Sequence, residues 1–477
     1  MRLGLHPRLL ATATAAALLG ACAHPVGPDY QAPQAALAAH WSDAGWHAAQ
    51  PADDAARGPW WQLYHDPALD GLESAAEQDS PGLQAALARV RQAEALTTVA
   101  GAAGKPQVDA GVNASRLRTS ANRDYGLPGF PTPSTTQNDF NLGASVRWET
   151  DLMGGVARSV EAAQAAADQS RADAQTVRLL LAANIASAYF TLRALDADVE
   201  QLARLLELQE RILVLTQRRV ELGQGTALDV ATQQSLVDTT RVQLDTLRTQ
   251  RGSQEAALAA LSGQAAPDFH LAPGVLAETV PHPDLGVPAD LLQRRPDIAS
   301  AERAVAQASA QIGVATAARY PDLALSGNVG SDSRLLSRLI EAPSMVWAFG
   351  ASLAATVYDG GRIDATVSAA RAAHEASVAQ YRQAVLGALA EVEGALRAEQ
   401  VLMQAVDRQQ TALATARRQL DLVSRRHDAG YGVAPDLLAA EQAVRLDERQ
   451  LVALRGQRLL NSVTLVKALG GSWEDPR

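Results

Sequence analysis

Residues 199–247 read VEQLARLLELQERILVLTQRRVELGQGTALDVATQQSLVDTTRVQLDTL, and residues 406–454 read VDRQQTALATARRQLDLVSRRHDAGYGVAPDLLAAEQAVRLDERQLVAL. In the first stretch Val199, Leu202, Leu206, Gln209, Leu213, Thr216 and Val220 precede Gly223. Val230, Gln233, Val237, Thr240, Leu244 and Leu247 follow it. Steps of three and four place one residue per turn along a helix seam. The same spacing returns 207 residues later, with Asp229 matched by Asp436, as Val406, Gln409, Leu413, Ala416, Leu420, Val423 and His427, then Leu437, Ala440, Val444, Asp447, Leu451 and Leu454. Glycine turns interrupt both stretches at one point, Gly223-Gln224-Gly225 and Gly430-Tyr431-Gly432. The pattern predicts two long antiparallel helical hairpins built to one plan, hence two tandem repeats.

Working outward, each hairpin is preceded by the same order of signals. Ser80-Pro81 opens a helix over about 80–103, serine at the cap and proline at the first helical position, and Pro106 closes it. The period then drops to two. Val108, Ala110, Val112 and Ala114 alternate with polar residues, and after a Gly/Pro/Asn/Ser loop the alternation returns at Phe140, Leu142, Ala144, Val146 and Trp148. This predicts a β-hairpin over about 107–152 with one apolar face. Gly154-Gly155 ends it, and a helical hairpin follows over about 155–262. Its first arm, about 156–222, is on the order of 100 Å long at about 1.5 Å per residue. The second repeat has a helix from about 290 to 318, strands at Leu323, Leu325, Gly327 and Val329 and at Trp347, Phe349, Ala351, Leu353, Ala355 and Val357 (hairpin about 322–359), Gly360-Gly361, and a helical hairpin over about 361–469. The chain therefore divides into residues 1–21, a Pro- and Trp-bearing arm at 22–78, a repeat at 79–265, a Pro-rich linker at 266–289, a repeat at 290–471 and a tail at 472–477.

Residues 1–21 read as a leader: Arg2 and Arg8, a short apolar run from Leu9 to Leu19, then Leu19-Gly20-Ala21-Cys22. The run is too short to span a membrane. Cys22 is the single cysteine of the 477 residues, so no disulfide pairs it within the chain. It is expected to be the lipidated first residue of a mature lipoprotein, and Ala23 after it favours outer-membrane sorting. The competing assignment is an ordinary leader with an incidental cysteine. No later segment is apolar enough for a transmembrane helix. The net charge of −10, without a basic stripe, argues against a nucleic-acid partner. No metal-ligand pair, nucleophile elbow or phosphate loop is present, so neither metal, cofactor nor enzymatic activity is expected.

Geometry limits what such a chain can be. Two hairpins alone leave open sheet edges, so several chains pooling strands into a membrane barrel would remove them, with apolar residues toward lipid. The long amphipathic helices need partners, and bundles of them extending from the barrel make a periplasmic tube. A seven-residue seam implies left-handed supercoiling.

The residues that fix this plan resemble the TolC family of outer-membrane efflux channels, in its OprM/NodT-type lipoprotein branch. They are Cys22 with Pro28-Asp29-Tyr30, Trp60-Trp61 followed by Asp66-Pro67-Ala68-Leu69, Trp148-Glu149-Thr150-Asp151-Leu152, residues 291–298 with Arg295-Pro296-Asp297, Tyr358-Asp359-Gly360-Gly361-Arg362, and Ala468-Leu469-Gly470-Gly471-Ser472-Trp473. The resemblance covers essentially the whole mature chain. It implies a mostly helical homotrimer in outer-membrane lipid, with a 12-stranded β-barrel to which each chain gives four strands and a 12-helix periplasmic α-barrel tunnel. It also implies docking to a periplasmic adaptor and a resistance–nodulation–division pump, the channel being a passive duct. The alternatives are the duct of a type I secretion or heavy-metal system, or a non-conducting coiled-coil lipoprotein.

Asp229 and Asp436 sit just beyond the glycine turns. In a trimer they would make six carboxylates around a narrow mouth, a charge-selective gate. The competing assignment is helix capping, since Thr226 precedes Asp229 by three residues and Pro435 precedes Asp436. Many relatives carry a second acid close after; here Ala439 stands there and Glu441 lies beyond. His427 occupies a position where relatives often have a locking tyrosine, and it would sense mild acidity at the mouth or serve only as a seam residue. Arg218, Arg219, Arg425 and Arg426, with Gly223, Gly225, Gly430 and Gly432, mark the tips and are candidates for bracing the aspartates or meeting the adaptor, against a plain solvated face.

Overall fold

The computed structural model describes residues 25–33, 59–120, 134–277, 280–281, 294–431 and 433–471. Cys22 and the expected leader, residues 34–58 of the expected arm, residues 282–293, Gly432 and residues 472–477 lie outside the described residues. In chain order the elements are α1 (Pro67–Asp79), α2 (Pro81–Ala102), β1 (Gln107–Arg118), β2 (Thr136–Thr150), α3 (Gly155–Glu221), α4 (Ala227–Leu261), α5 (Pro296–Ala317), β3 (Asp322–Ser333), β4 (Met345–Ala354), α6 (Arg362–Asp428) and α7 (Ala434–Ala468). Helices α3 and α6 each have 67 residues, and α4 and α7 each have 35.

Two boundaries differ from the sequence expectation. The stretch expected as arm and equatorial region contains α1, because Asp66 accepts from the amides of Ala68 (3.0 Å) and Leu69 (3.4 Å) and Pro67 starts the helix at no hydrogen-bond cost. Strand β4 stops at Ala354, short of Ala355 and Val357, because its partner Asp322 is the first residue of β3 and the ladder ends there. Helix α5 runs from Pro296; Arg294 before it is also helical, and the expected start near 290 lies outside the described residues.

The chain forms two compact units. One combines Met1–Pro33, Val90–Gln169 and Ala301–Gln380. Its sheet runs β1-β2-β3-β4, antiparallel throughout, so the two hairpins join through β2 and β3. Register aligns the apolar sets across all four strands. Ala110 opposes Ala144, which opposes Val329, which opposes Trp347; Val108, Val146, Gly327 and Phe349 form the next row. One face is therefore largely apolar, and Val108, Val112, Trp347, Phe349 and Leu353 on it are exposed. The other face is polar and includes a row of Gly111, Gly143 and Gly330. A Cβ at Gly330 would lie 2.5 Å from the Leu142 carbonyl oxygen, so glycine there permits close approach of β2 and β3. Strands β1 and β4 have no outer partner among the described residues.

Residues 25–33 are fastened to the same unit. Val26 donates its amide to the Met153 carbonyl at 3.0 Å, and buried Arg158 reaches the Val26 carbonyl (3.2 Å) and the Asp29 carboxylate (2.8 Å). Tyr30 donates to Glu302 at 2.8 Å. Two corner aspartates start the long helices. Asp151 accepts from the amides of Val156 and Ala157, and Asp359 from those of Gly361, Arg362 and Ile363. These backbone donors hold the Asp359 carboxyl below its usual range.

The other unit combines Gln34–Arg89, Ser170–Ser300 and Tyr381–Arg477. Its core is aromatic: Trp60, Trp61, Tyr64, Tyr189 and Phe190 pack with Leu69, Leu72, Ile185, Leu258, Leu459 and Val463. Buried Arg295 bridges Glu391 (2.8 Å), Asp297 (2.6 Å) and the Ala468 carbonyl (3.0 Å). The seams read from the sequence are formed. Leu202, Leu206, Leu244 and Leu247 join α3 to α4, and Val406, Leu413, Leu420, Val444, Leu451 and Leu454 join α6 to α7. Helix α3 also meets α7, through Arg449 to Asp198 and Arg211 to Glu441. The helices thus lie in the order α4, α3, α7, α6. The two outer ones keep large apolar residues exposed, Leu228, Leu236 and Val242 on α4 and Val401, Met403 and Leu422 on α6.

Glu73 of α1 is 1 % exposed, and its Oε1 has no hydrogen-bond partner among the described residues. Burial pushes its carboxyl up to about 9, with repulsion from Glu77 and Asp70 adding to the effect. The folded state therefore holds a proton that the unfolded chain releases near its ordinary value of 4.5, and stability falls as pH rises from there toward 9. Guanidinium midpoints at pH 5 and pH 8.5 should show this loss in the native chain and a markedly smaller one in Glu73→Gln; an equal loss in both would contradict the assignment.

Candidate functional site at the helix tips

The turns joining the long helices are built alike. Helix α3 ends with Gly223 at φ +73°, its amide donating to the Val220 carbonyl (2.9 Å) while the Gln224 amide reaches Arg219 (2.8 Å). Helix α6 ends with Gly430 at φ +79°, its amide bonded to His427 and that of Tyr431 to Arg426, both at 2.9 Å. This pair of bonds closes a helix only if the first residue past its end is left-handed, which is why glycine stands at both positions. A side-chain bond reinforces each turn: Arg219 donates to the Gln224 carbonyl (3.3 Å) and Arg426 to the Tyr431 carbonyl (3.4 Å). The second arginine of each pair is thus a brace of its own turn.

The two aspartates differ. Thr226 caps α4, its hydroxyl accepting from the Asp229 amide (3.3 Å) while the Asp229 carboxylate accepts from the Thr226 amide (2.8 Å) and hydroxyl (2.9 Å). The backbone and hydroxyl donors of Thr226 hold the Asp229 carboxyl below the usual carboxylate range, and the nearby Arg219 charge adds to this. Asp436 stands in the first turn of α7 behind Pro435, where no side chain caps the helix.

The remaining candidates have separate surroundings. Glu441 pairs with Arg211 of α3 at 3.5 Å, Arg425 with Asp421 at 2.9 Å within α6, and His427 lies 3.7 Å from Asp428. Gly225 packs against Val220, and Gly432 lies outside the described residues. What the fold gathers is a groove of about 540 Å³ between the first hairpin and the start of α7. Arg218, Arg219 and Asp229 line it together with Leu215, Leu222 and Leu438. Sequence reading missed its apolar wall. The signal was a second stripe on α3, Ile212, Leu215 and Leu222, one residue off the seam that packs against α4.

A family model described as "Outer membrane efflux protein" matches residues 72–264 and 287–471. The chain belongs to that family. The pyoverdine export outer membrane protein OpmQ of Pseudomonas aeruginosa is 35 % identical over 424 residues, 88 % of either chain. The toluene efflux pump outer membrane protein TtgC of Pseudomonas putida is 30 % identical over 469 residues, 98 % of this chain and 96 % of TtgC. The solved outer-membrane channel OprN superposes with a TM-score of 0.83 at 27 % identity, covering 94 % of this chain and all of OprN. Members of the outer membrane efflux family are TolC-type transport channels of the outer membrane without enzymatic chemistry.

The asymmetry of the aspartates is measurable by hydrogen exchange. Asp229→Ala should speed exchange of the amides at 223–230 several-fold, whereas Asp436→Ala should leave the corresponding turn unchanged. Because the Asp229 carboxyl is depressed, its cap is complete at neutral pH and is lost only as pH falls through the lowered value. Equal responses of the two turns would contradict the assignment.

Proposed function

We propose that three copies of this chain close into a 12-stranded barrel and a 12-helix tube, forming the outer-membrane duct of a tripartite resistance–nodulation–division efflux system. One observation carries the reading: both layers are open-ended within the chain. Among the described residues the sheet has no partners beyond β1 and β4, and the helix row none beyond α4 and α6. Copies related by a closed rotation supply partners for both sets of edges at once.

The polarity of the sheet fits a duct. Its polar face carries Asp109, Asp139, Glu149, Asp322 and Asp332 against a single arginine, Arg147. In a closed barrel that face lines the lumen, an acid-rich path for cations and neutral solutes. Lipid anchoring at Cys22 fits as well. Pro25 packs against Gly154 at the junction of β2 and α3, and three residues of chain reach at most about 11 Å, so an acyl chain on Cys22 stays beside the strand ends. At the far tips, the groove holding Arg218 and Asp229 is the surface we assign to the periplasmic adaptor, with Asp229 and Asp436 narrowing the entrance. Relatives named for pyoverdine export and toluene efflux support small organic cargo, moved passively and chosen by the pump.

Planar-bilayer recording of the purified assembly tests this. It should conduct with a preference for cations, and Asp229→Ala combined with Asp436→Ala should raise resting conductance or weaken that preference. Electrical silence under all conditions would sink the duct; an unchanged double variant would leave Asp229 a helix cap and Asp436 a first-turn acid.

A further inference from the structure

Charge is partitioned across the sheet. Every carboxylate in the four strands lies on the polar face, as does Arg147. The apolar face carries only two charges, Arg116 and Arg118, which share the pleat of Val108, Ala110, Val112 and Ala114. Both are exposed at the hairpin end of β1. Beside them on that face stand Asn138 and Thr136, their register partners. Arg118 Nε donates to Ser134 Oγ at 3.1 Å, which holds its guanidinium at the strand end. No described carboxylate pairs with Arg116.

Height along the strand is informative. From Val108 to Arg118 is ten residues, about 34 Å of antiparallel strand. At the usual tilt of about 35–45° this rises about 24–28 Å, the height of the apolar band of an outer-membrane barrel. The arginines therefore come level with lipid headgroups just where the apolar sequence ends. They lie at the end of β1 away from α2, the end facing the outer leaflet if the long helices extend into the periplasm. Guanidinium forks beside hydroxyl and amide groups match phosphate oxygens.

We propose that Arg116 and Arg118, with Asn138 and Thr136 beside them, form a lipid-facing site for the phosphate groups of the phosphorylated glycolipid of the outer leaflet, repeated once per copy around the barrel. The site rests on the barrel reading above. Its occupant is a glycolipid with two phosphates rather than a single-phosphate phospholipid, because two arginines on one face, rooted about 7 Å apart on the backbone and carrying long rotatable stems, can splay to hold two phosphates of one molecule at once.

The test uses the full-length assembly purified from membranes, with native mass spectrometry reading bound lipid after addition of a bisphosphorylated lipid A or of phosphatidylglycerol. The native protein should retain the bisphosphorylated glycolipid and prefer it over phosphatidylglycerol. Arg116→Gln with Arg118→Gln should lower its occupancy at least tenfold, and Arg116→Lys with Arg118→Lys should restore part of it. Equal occupancy in the native and glutamine forms, or equal retention of the two lipids by the native form, would overturn the site. If the assembly stays trimeric and conducting in that case, only this proposal fails. A chain that never forms a membrane trimer would overturn the barrel reading along with it.

Discussion

A sheet with one apolar face and two unpaired edges has no stable resting place alone in water. Its edge amides and carbonyls invite pairing, and its apolar rows invite lipid. That constraint governs this chain. Among the described residues strands β1 and β4 end the sheet without outer partners, and Val108, Val112, Trp347, Phe349 and Leu353 stand exposed on the apolar face. The helices repeat the problem, with α3 and α7 flanked on both sides and α4 and α6 flanked on one. The closure proposed above, by further copies, would satisfy strands and helices together and leave the assembly hollow.

Holding such edges in place for assembly requires rigid corners. Asp66 starts α1 and accepts from the Tyr189 hydroxyl at 2.5 Å. Asp151 and Asp359 start the two 67-residue helices, and Arg295 ties the start of α5 to α6 and to the end of α7. Arg158 pins residues 26–29 to the base of β2 and α3. The short motifs by which the sequence resembles the efflux channels are largely these corners. They are specific because each solves one chain reversal, by a cap, a left-handed glycine or a buried ion pair.

The seam residues were legible because helix and strand periods are local. Spacing alone located both helical hairpins, both glycine turns and all four strands, and the register of the sheet then aligned their apolar sets. Features set by long-range pairing were not legible. Nothing around Asp29 announces Arg158 129 residues away, and nothing around Glu441 announces Arg211 on α3. The tip site was half visible. Asp229 read equally as gate or cap, and the capping bonds exist in the fold; yet the apolar groove beside it was hidden, because its wall is a second stripe that only a third helix reveals. Helix α1 was overlooked for a simpler reason: 13 residues interrupted by Gly71 carry too weak a period.

Cross-linking the sheet edges addresses the central claim most directly. Asn113→Cys on β1 can be combined in turn with Val346→Cys, Ala348→Cys or Gly350→Cys on β4, all on the polar face, and oxidised in native membranes. Closure between copies predicts that one register yields covalently linked trimers on denaturing gels. Chains that remain monomeric in every combination, or that join β1 to β4 only within one chain, would contradict it.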